Sequence, residues 1–325
     1  MSPRSAQRSA RHPPARGAAL LVAMVVLTVV ATLASGMVWQ QWKAIRVETA
    51  ERGRVQSAWI LSGALDWARL ILREDARSGR VTSLHEPWAT PLAEARLSTF
   101  LAIDQNNNSA ADADIEAFLS GAIEDAQARY NLTNLLGDKP LSAPHLALLE
   151  KLCAAAGLSS ATAALLGNGL INAHAAGDGS DSDSAALMPQ TLADLSWLGL
   201  SEAEVAALSP FVVLLPSATP INLNTAPREV LAAVIPGVDL GSADRLVQAR
   251  GRQPIRNVEQ AWQVLGLSTA VPAGLVDVKS SFFEVHGQLR LADRLLQQRS
   301  LVERRGNDVL TRSRQREVKV AAGLR

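Results

Sequence analysis

The chain has 325 residues, 48% apolar and 19% charged, which is length enough for two folded units and a composition that excludes a disordered, collagen-like or low-complexity protein. A single cysteine, Cys153, excludes internal disulfides and cysteine-cluster metal sites, and aromatic residues are only 4%, so any core rests mainly on Ala, Leu and Val. The net charge of +1 hides a segregation: four arginines and no acid in residues 1–16, a basic C-terminal stretch over 287–325, and an acidic middle that argues against general affinity for nucleic acid.

Residues 18–38, AALLVAMVVLTVVATLASGMV, carry no charge over 21 positions. As a helix they span about 31 Å, enough for a bilayer core of about 30 Å. Arg4, Arg8, Arg11 and Arg16 precede the run, and Trp39, Trp42 and Lys43 follow it, which orients it with the basic end cytoplasmic. A removable signal has an apolar region of about 7–15 residues, so this longer run reads as an anchor. Beyond it Ala58, Leu61, Leu65, Ala68 and Leu72 recur at steps of three and four, with Asp66, Arg69 and Arg73 turned away. The spacing predicts one long helix over 18–78, stopping near Gly79, with Gly36 as the position that permits a bend.

The residues around Gly17 resemble a class III, prepilin-like signal: a basic leader ending in Gly17 immediately before the apolar helix. The resemblance implies that prepilin peptidase cuts between Gly17 and Ala18, leaves the helix in place and methylates the new amine of Ala18. The fifth position after such a cut is Val22, where ordinary pilin-like subunits carry Glu. A missing Glu at that position is similar to one branch, the type II secretion system minor pseudopilin K family (general secretion pathway protein K).

Further along, Leu84, Glu86, Trp88, Ala89, Pro91 and Leu92 resemble the L-x-E-x-W-A-x-P-L string of the same branch. Residues 95–136 alternate short apolar runs with polar clusters and read as strands. They end on YNLTNLL, similar to the family's strand-plus-NLN signature, with Asn131 and Asn134 expected to turn the chain by bonding nearby backbone. Residues 143–276 are Ala/Leu-rich helices punctuated by Pro, Gly and Ser, with start and stop signals at Ser201 and Glu204, at Thr225 before Pro227, and at Gly237. Two related blocks stand out, around 143–170 and around 221–266. The tail reads as strands over 280–287, 288–299, 300–306 and 309–320, with Arg312, Arg314 and Arg316 facing outward.

The fold class that the resemblance implies is α+β: a transmembrane and amphipathic long helix, a pilin-like antiparallel sheet, and a large all-α insertion, SAM-like and helix-hairpin-helix-like. The expected divisions are a leader at 1–17, the helix at 18–78, loop and strands at 79–136, the helical insertion at 137–276 and closing strands at 277–325.

The resemblance implies capping of the tip of a secretion pseudopilus and initiation of its assembly for export of folded proteins. The implied partners are minor pseudopilins I and J as a tip complex, pseudopilin H and major pseudopilin G below, prepilin peptidase, and the inner-membrane assembly platform. The implied location is the inner membrane, single-pass, with a periplasmic C-terminal domain. The alternative is a membrane-anchored DNA-uptake protein using the helix-hairpin-helix-like unit at 221–252. Against it, Asp239 stands where the second glycine of a phosphate-binding turn belongs.

No enzyme is expected. The five histidines have no paired spacing, and G-x-S-x-G, P-loop and G-x-G-x-x-G strings are absent. Two acidic clusters are calcium candidates beside a plain solvated-loop reading: Asp104, Asp112 and Asp114 with Asn106 and Asn108, and Asp178, Asp181 and Asp183, the second lying where the family usually has a longer acidic string.

Overall fold

The computed structural model describes residues 16–79, 81–97, 117–137, 141–177, 187–267, 274–291 and 294–320. The chain divides into two compact units, Met1–Trp59 and Ile60–Arg325. Helix α1 (Arg16–Arg77) contains no proline, so nothing removes a donor from its ladder, and it ends just before Gly79, which takes φ +64°.

In chain order follow β1 (Leu92–Arg96), β2 (Ala117–Asp125) and β3 (Tyr130–Asn131), then α2 (Ala143–Ala155), α3 (Ser160–Gly177), α4 (Glu202–Leu208) and β4 (Val212–Val213). Next come β5 (Ile221–Asn222), α5 (Arg228–Val234), α6 (Leu240–Arg252), α7 (Val258–Leu265) and β6 (Val276–Asp277). The described chain closes with β7 (Phe282–Leu291), β8 (Arg294–Arg305) and β9 (Asp308–Val320).

Strands β1-β2-β7-β8-β9, in that spatial order, form an antiparallel sheet, so the helices lie in the chain between two strands that are neighbours. The register sets Asp125 opposite Phe283 at the point where the chain leaves the sheet and returns to it. Leu65, Ala68 and Leu72 of α1 pack with Phe283, Val285, Val302 and Val309, and Leu61 packs with Leu119 and Leu289. One face of the sheet thus meets the apolar stripe that the spacing of three and four lays along the helix.

The helices enclose a separate core of Leu, Val and Ala around Leu149, Leu166, Leu195, Leu231 and Leu246, which is where a chain poor in aromatics finds its volume. They fall into two units. In each, a two-residue strand begins the unit and pairs in parallel with one that ends it, Tyr130↔Val212 in the first and Ile221↔Val276 in the second.

Four expectations change. The tail holds three strands, not four segments, because Gly287 and Ser300 lie inside continuous ladders. A Cβ at Gly287 would sit 3.3 Å from Leu61, so this glycine lets the helix approach the sheet and makes no turn. The hairpin turns at Gly306, φ +58°. Arg69 is not turned away: its Nε and one terminal nitrogen donate to the Val309 carbonyl at 2.9 and 2.7 Å, the long stem carrying the charge back to a strand end. Arg312 occupies a bulge and pairs with Glu303, so it is not simply outward. Thr225 does not cap α5, whose first position follows Pro227 with no side-chain cap, because its hydroxyl is taken by a buried carboxylate.

Candidate functional site

The first candidate surface is the apolar part of α1. Twelve large apolar side chains between Leu20 and Val38 are at least half exposed or nearly so, and the most apolar 18-residue window has a mean hydropathy of 2.4 with none of it buried within the chain. At roughly 1.5–3 kcal/mol each, such side chains left in water would cost tens of kcal/mol, so this segment requires an apolar surrounding. Its hydroxyls suit one: Thr28, Thr32 and Ser35 donate to the carbonyls of Val25, Val29 and Ala31 at 2.8–2.9 Å. Lys43 stands 5.5 Å from the Trp39 ring centre and Arg46 stands 3.8 Å from that of Trp42, a cationic and aromatic belt where the apolar run ends. Gly17 and Ala18 fall in the first helical turn, and Val22 presents an apolar side chain, 62% exposed.

The motif residues in the loop after α1 form a clasp. Trp88 is buried, meets the Phe283 ring edge to face at 5.3 Å and donates its indole N–H to Glu86 Oε2 at 2.6 Å. Glu86 also accepts from the Ser83 N–H, and burial pushes its carboxyl above the ordinary value against those bonds. Leu84, by contrast, is exposed.

The asparagines of Asn131-Leu-Thr-Asn134 and Asn222-Leu-Asn224 do more than turn the chain locally. Asn131 accepts from Thr133 two residues on, as expected, but it also accepts from Leu215 N–H and donates to the Ser217 carbonyl at 2.7 Å. Asn134 exchanges two bonds with Thr219, and Asn224 exchanges two with Ile255. Each therefore closes a loop across tens of residues, because a buried amide with both donor and acceptor can replace a missing backbone partner.

Asn222 joins the deepest polar cluster. Its Nδ2 donates to Asp125, Ser280 and the Thr82 carbonyl, while Asp125 Oδ2 also accepts from Thr225 and Ser280, each at 2.6 Å. Burial raises the Asp125 carboxyl, although the donors from Ser280, Thr225, Asn222 and Gln127 oppose the shift. Arg304 extends the cluster to α1 through Asp75 at 2.7 Å and Thr82 at 2.8 Å. These contacts are structural in kind: neutral donors surround the carboxylate.

The helix-hairpin-helix-like turn carries an acid in place of its second glycine. Gly237 has φ +79°, the left-handed value such a turn needs, but Asp239 caps α6 by accepting from Ser242 N–H at 2.7 Å. That hydrogen bond holds the Asp239 carboxyl below its ordinary value, so a fixed anion fills the place of a bound one. Of the arginines near it, Arg250 is buried and donates to the Leu223 carbonyl at 2.6 Å, and burial pushes its pKa down to about 10. Cys153 is fully buried in α2, and burial pushes its thiol up to about 11, the opposite of nucleophile activation. The calcium candidates Asp104, Asp112, Asp114, Asp178, Asp181 and Asp183 lie outside the described residues.

One titratable cluster has no counterpart in the sequence reading. Glu124 on β2 stands directly opposite Glu284 on β7, and His286 lies two residues along the same face. Burial pushes Glu284 up, but His286, Arg129 and Arg299 outweigh it and hold the carboxyl down at about 2. Contact with Glu124 first and Glu284 second raises His286 to about 9. The visible signal was Glu284-x-His286 in a strand, where alternate residues share a face. Glu124, some 160 positions away, gave none.

The family model for type II secretion system protein K matches residues 221–279, the second helical unit with the strand pair that closes it. The chain is 28% identical to type II secretion system protein K of Pseudomonas aeruginosa, over 86% of this chain and 85% of that one. It is 27% identical to the protein of the same name from Pectobacterium carotovorum subsp. carotovorum, over 92% and 96%. The fold is similar to a chain in the crystal structure of the GspK-GspI-GspJ complex from enterotoxigenic Escherichia coli, with TM-score 0.62 and 17% identity over 82% of this chain and 98% of that chain. A matching helical unit, relatives aligned over most of their length and a shared α+β fold all make the chain similar to type II secretion system protein K.

Proposed function

We propose that this chain is the minor pseudopilin that caps the tip of the type II secretion pseudopilus and initiates its assembly, for export of folded proteins across the outer membrane. One observation carries the reading: a charge-free helix with no burial inside the chain, whose fifth position after Gly17 is Val22 and not a carboxylate. In a bundle of apolar helices a Glu at that position neutralises the amine of the next subunit, where an unpaired charge is costly. A subunit lacking it has no place in the middle of the stack but fits above the last one, where no further amine arrives.

In this reading prepilin peptidase cuts between Gly17 and Ala18 and methylates Ala18. The helix stays in the inner membrane as a single pass, with the remainder periplasmic. Minor pseudopilins I and J join the chain as the tip complex, pseudopilin H and major pseudopilin G follow below, and the inner-membrane platform drives extension. The related structure with GspI and GspJ supports the first two partners. The role is assembly, not catalysis.

Co-expression with prepilin peptidase, followed by mass spectrometry of the N-terminal peptide, tests it. The expected terminus is a singly methylated Ala18. An intact Met1, or a cut beyond Ala34, defeats the proposal.

A further inference from the structure

Two carboxylates directly opposite each other on antiparallel strands repel, and Glu124 and Glu284 occupy such a pair. The third member, His286, presents Nε2 at 3.6 Å from Glu124 Oε2 and 3.6 Å from Glu284 Oε2. That separation is too long for a hydrogen bond. Nε2 is shielded from solvent and has no hydrogen-bond partner, although the imidazole edge faces two acceptors. The three ligand atoms all lie within 4.8 Å of one another.

These distances suit a metal ion better than a proton. Zinc bonds to imidazole and carboxylate at about 2.0–2.2 Å, so the edges of its tetrahedron measure about 3.3–3.6 Å. We propose that Glu124, Glu284 and His286 form a site for one divalent transition-metal ion of the zinc type, clipping β2 to β7 at the root of the helical segment.

The surroundings have the features of such a site. Arg129 binds Glu284 Oε1 at 2.8 Å and Arg299 donates to Oε2 from two nitrogens, at 2.6 and 3.1 Å; these contacts fix the carboxylate, and a metal on Oε2 takes the place of the longer one. A groove of about 660 Å³ lined by His286, Gln288 and Arg299 lies open beside the cluster and admits water as a fourth ligand. One imidazole with two carboxylates favours zinc-type ions over calcium, which takes six to eight oxygens. The two guanidiniums offset the carboxylate charge, so binding is moderate rather than tight. The inference does not depend on the chain's place in a pseudopilus.

The test uses the full chain in detergent, stripped with chelator and titrated with zinc alone, with cobalt as a spectroscopic substitute. The expected result is one saturable zinc per chain, and cobalt absorption bands of a four-coordinate site. Glu124→Gln, at an exposed position that does not threaten folding, lowers the affinity at least 10-fold, and His286→Gln does the same. An equal concentration of calcium displaces none of the zinc. The proposal is overturned if the wild-type chain retains no zinc at micromolar concentrations, if Glu124→Gln binds as well as wild type, or if calcium competes equally.

Discussion

The side-chain amide of Asn222 donates to the carboxylate of Asp125 at 2.8 Å, joining the start of the second helical unit to the end of β2 across 97 residues. Asp125→Ala strips three buried donors of this acceptor, the Thr225 and Ser280 hydroxyls and the Gln127 N–H, while Asn222 keeps Ser280 and the Thr82 carbonyl. At about 1–3 kcal/mol for each unsatisfied group, with partial relaxation, the expected loss is on the order of 3–5 kcal/mol. Denaturant unfolding of the detergent-solubilised chain followed by tryptophan fluorescence measures it; a loss below about 1 kcal/mol would show that the cluster is not holding the units together.

Arg304 and Asp75 are both about nine-tenths buried, and Arg304 also lies over the Phe283 ring, 5.0 Å from its centre. Arg304→Ala strands the Asp75 charge, at an expected cost of about 3–5 kcal/mol. The double variant Arg304→Met, Asp75→Leu should recover most of that cost, since both charges leave together. Thermal unfolding of the three proteins side by side decides the matter.

Asp239→Ala removes the cap of α6 and should lower the denaturant midpoint. The wild-type chain should show no DNA retention that weakens with salt, and Arg245→Ala with Arg252→Ala should change nothing in a mobility assay. Retention that falls steeply between low and physiological salt, and vanishes in the arginine variant, would restore the uptake reading.

In chain stripped of metal, the charge state of His286 gives a signed dependence on pH. Its pKa is raised to about 9, so the folded state holds the proton more tightly than the unfolded one. The resulting stabilisation is complete below the ordinary histidine value of about 6.5 and disappears as pH climbs through about 9. Proton NMR titration should place His286 near 9, and Glu124→Gln should bring it down. A titration near 6.5 in the wild type contradicts the arrangement.

Val22→Glu places a carboxylate one turn inside the apolar run. If the chain sits at the tip, as proposed, no amine reaches it from above, so that charge gains no partner and should reduce membrane insertion, by about 1–3 kcal/mol. Carbonate extraction gives the inserted fraction, and secretion of a reporter exoprotein should fall with it. Undiminished insertion and secretion would argue that a partner amine is present.

Much of this was legible in the chain. The steps of three and four from Leu61 to Leu72 gave the buried face of α1, and Ser201 with Glu204 gave a capping box that the structure contains. The Trp88 string was visible as a motif, but its physical meaning, an indole held by Glu86 against Phe283, depends on a strand nearly 200 residues away. Thr225 looked like a cap because Ser and Thr before a helix usually are caps; the unforeseen demand came from Asp125, a hundred positions upstream. Gly287 and Ser300 looked like breaks because local propensity carries no information about a helix packed on the opposite side of a ladder.

Since Asp125 and Phe283 are neighbours in the ladder, everything from Ala126 to Ser281 leaves and rejoins the sheet at one seam. Tension running along the strands crosses from β2 directly to β7, and the helices branch from the seam, anchored there by Asn222 on Asp125 and by Val213 and Leu215 against Phe282. Such a branch can lengthen, shorten or diversify without re-registering a single strand, whereas a one-residue change within β2 or β7 would turn every side chain of that strand to the wrong side.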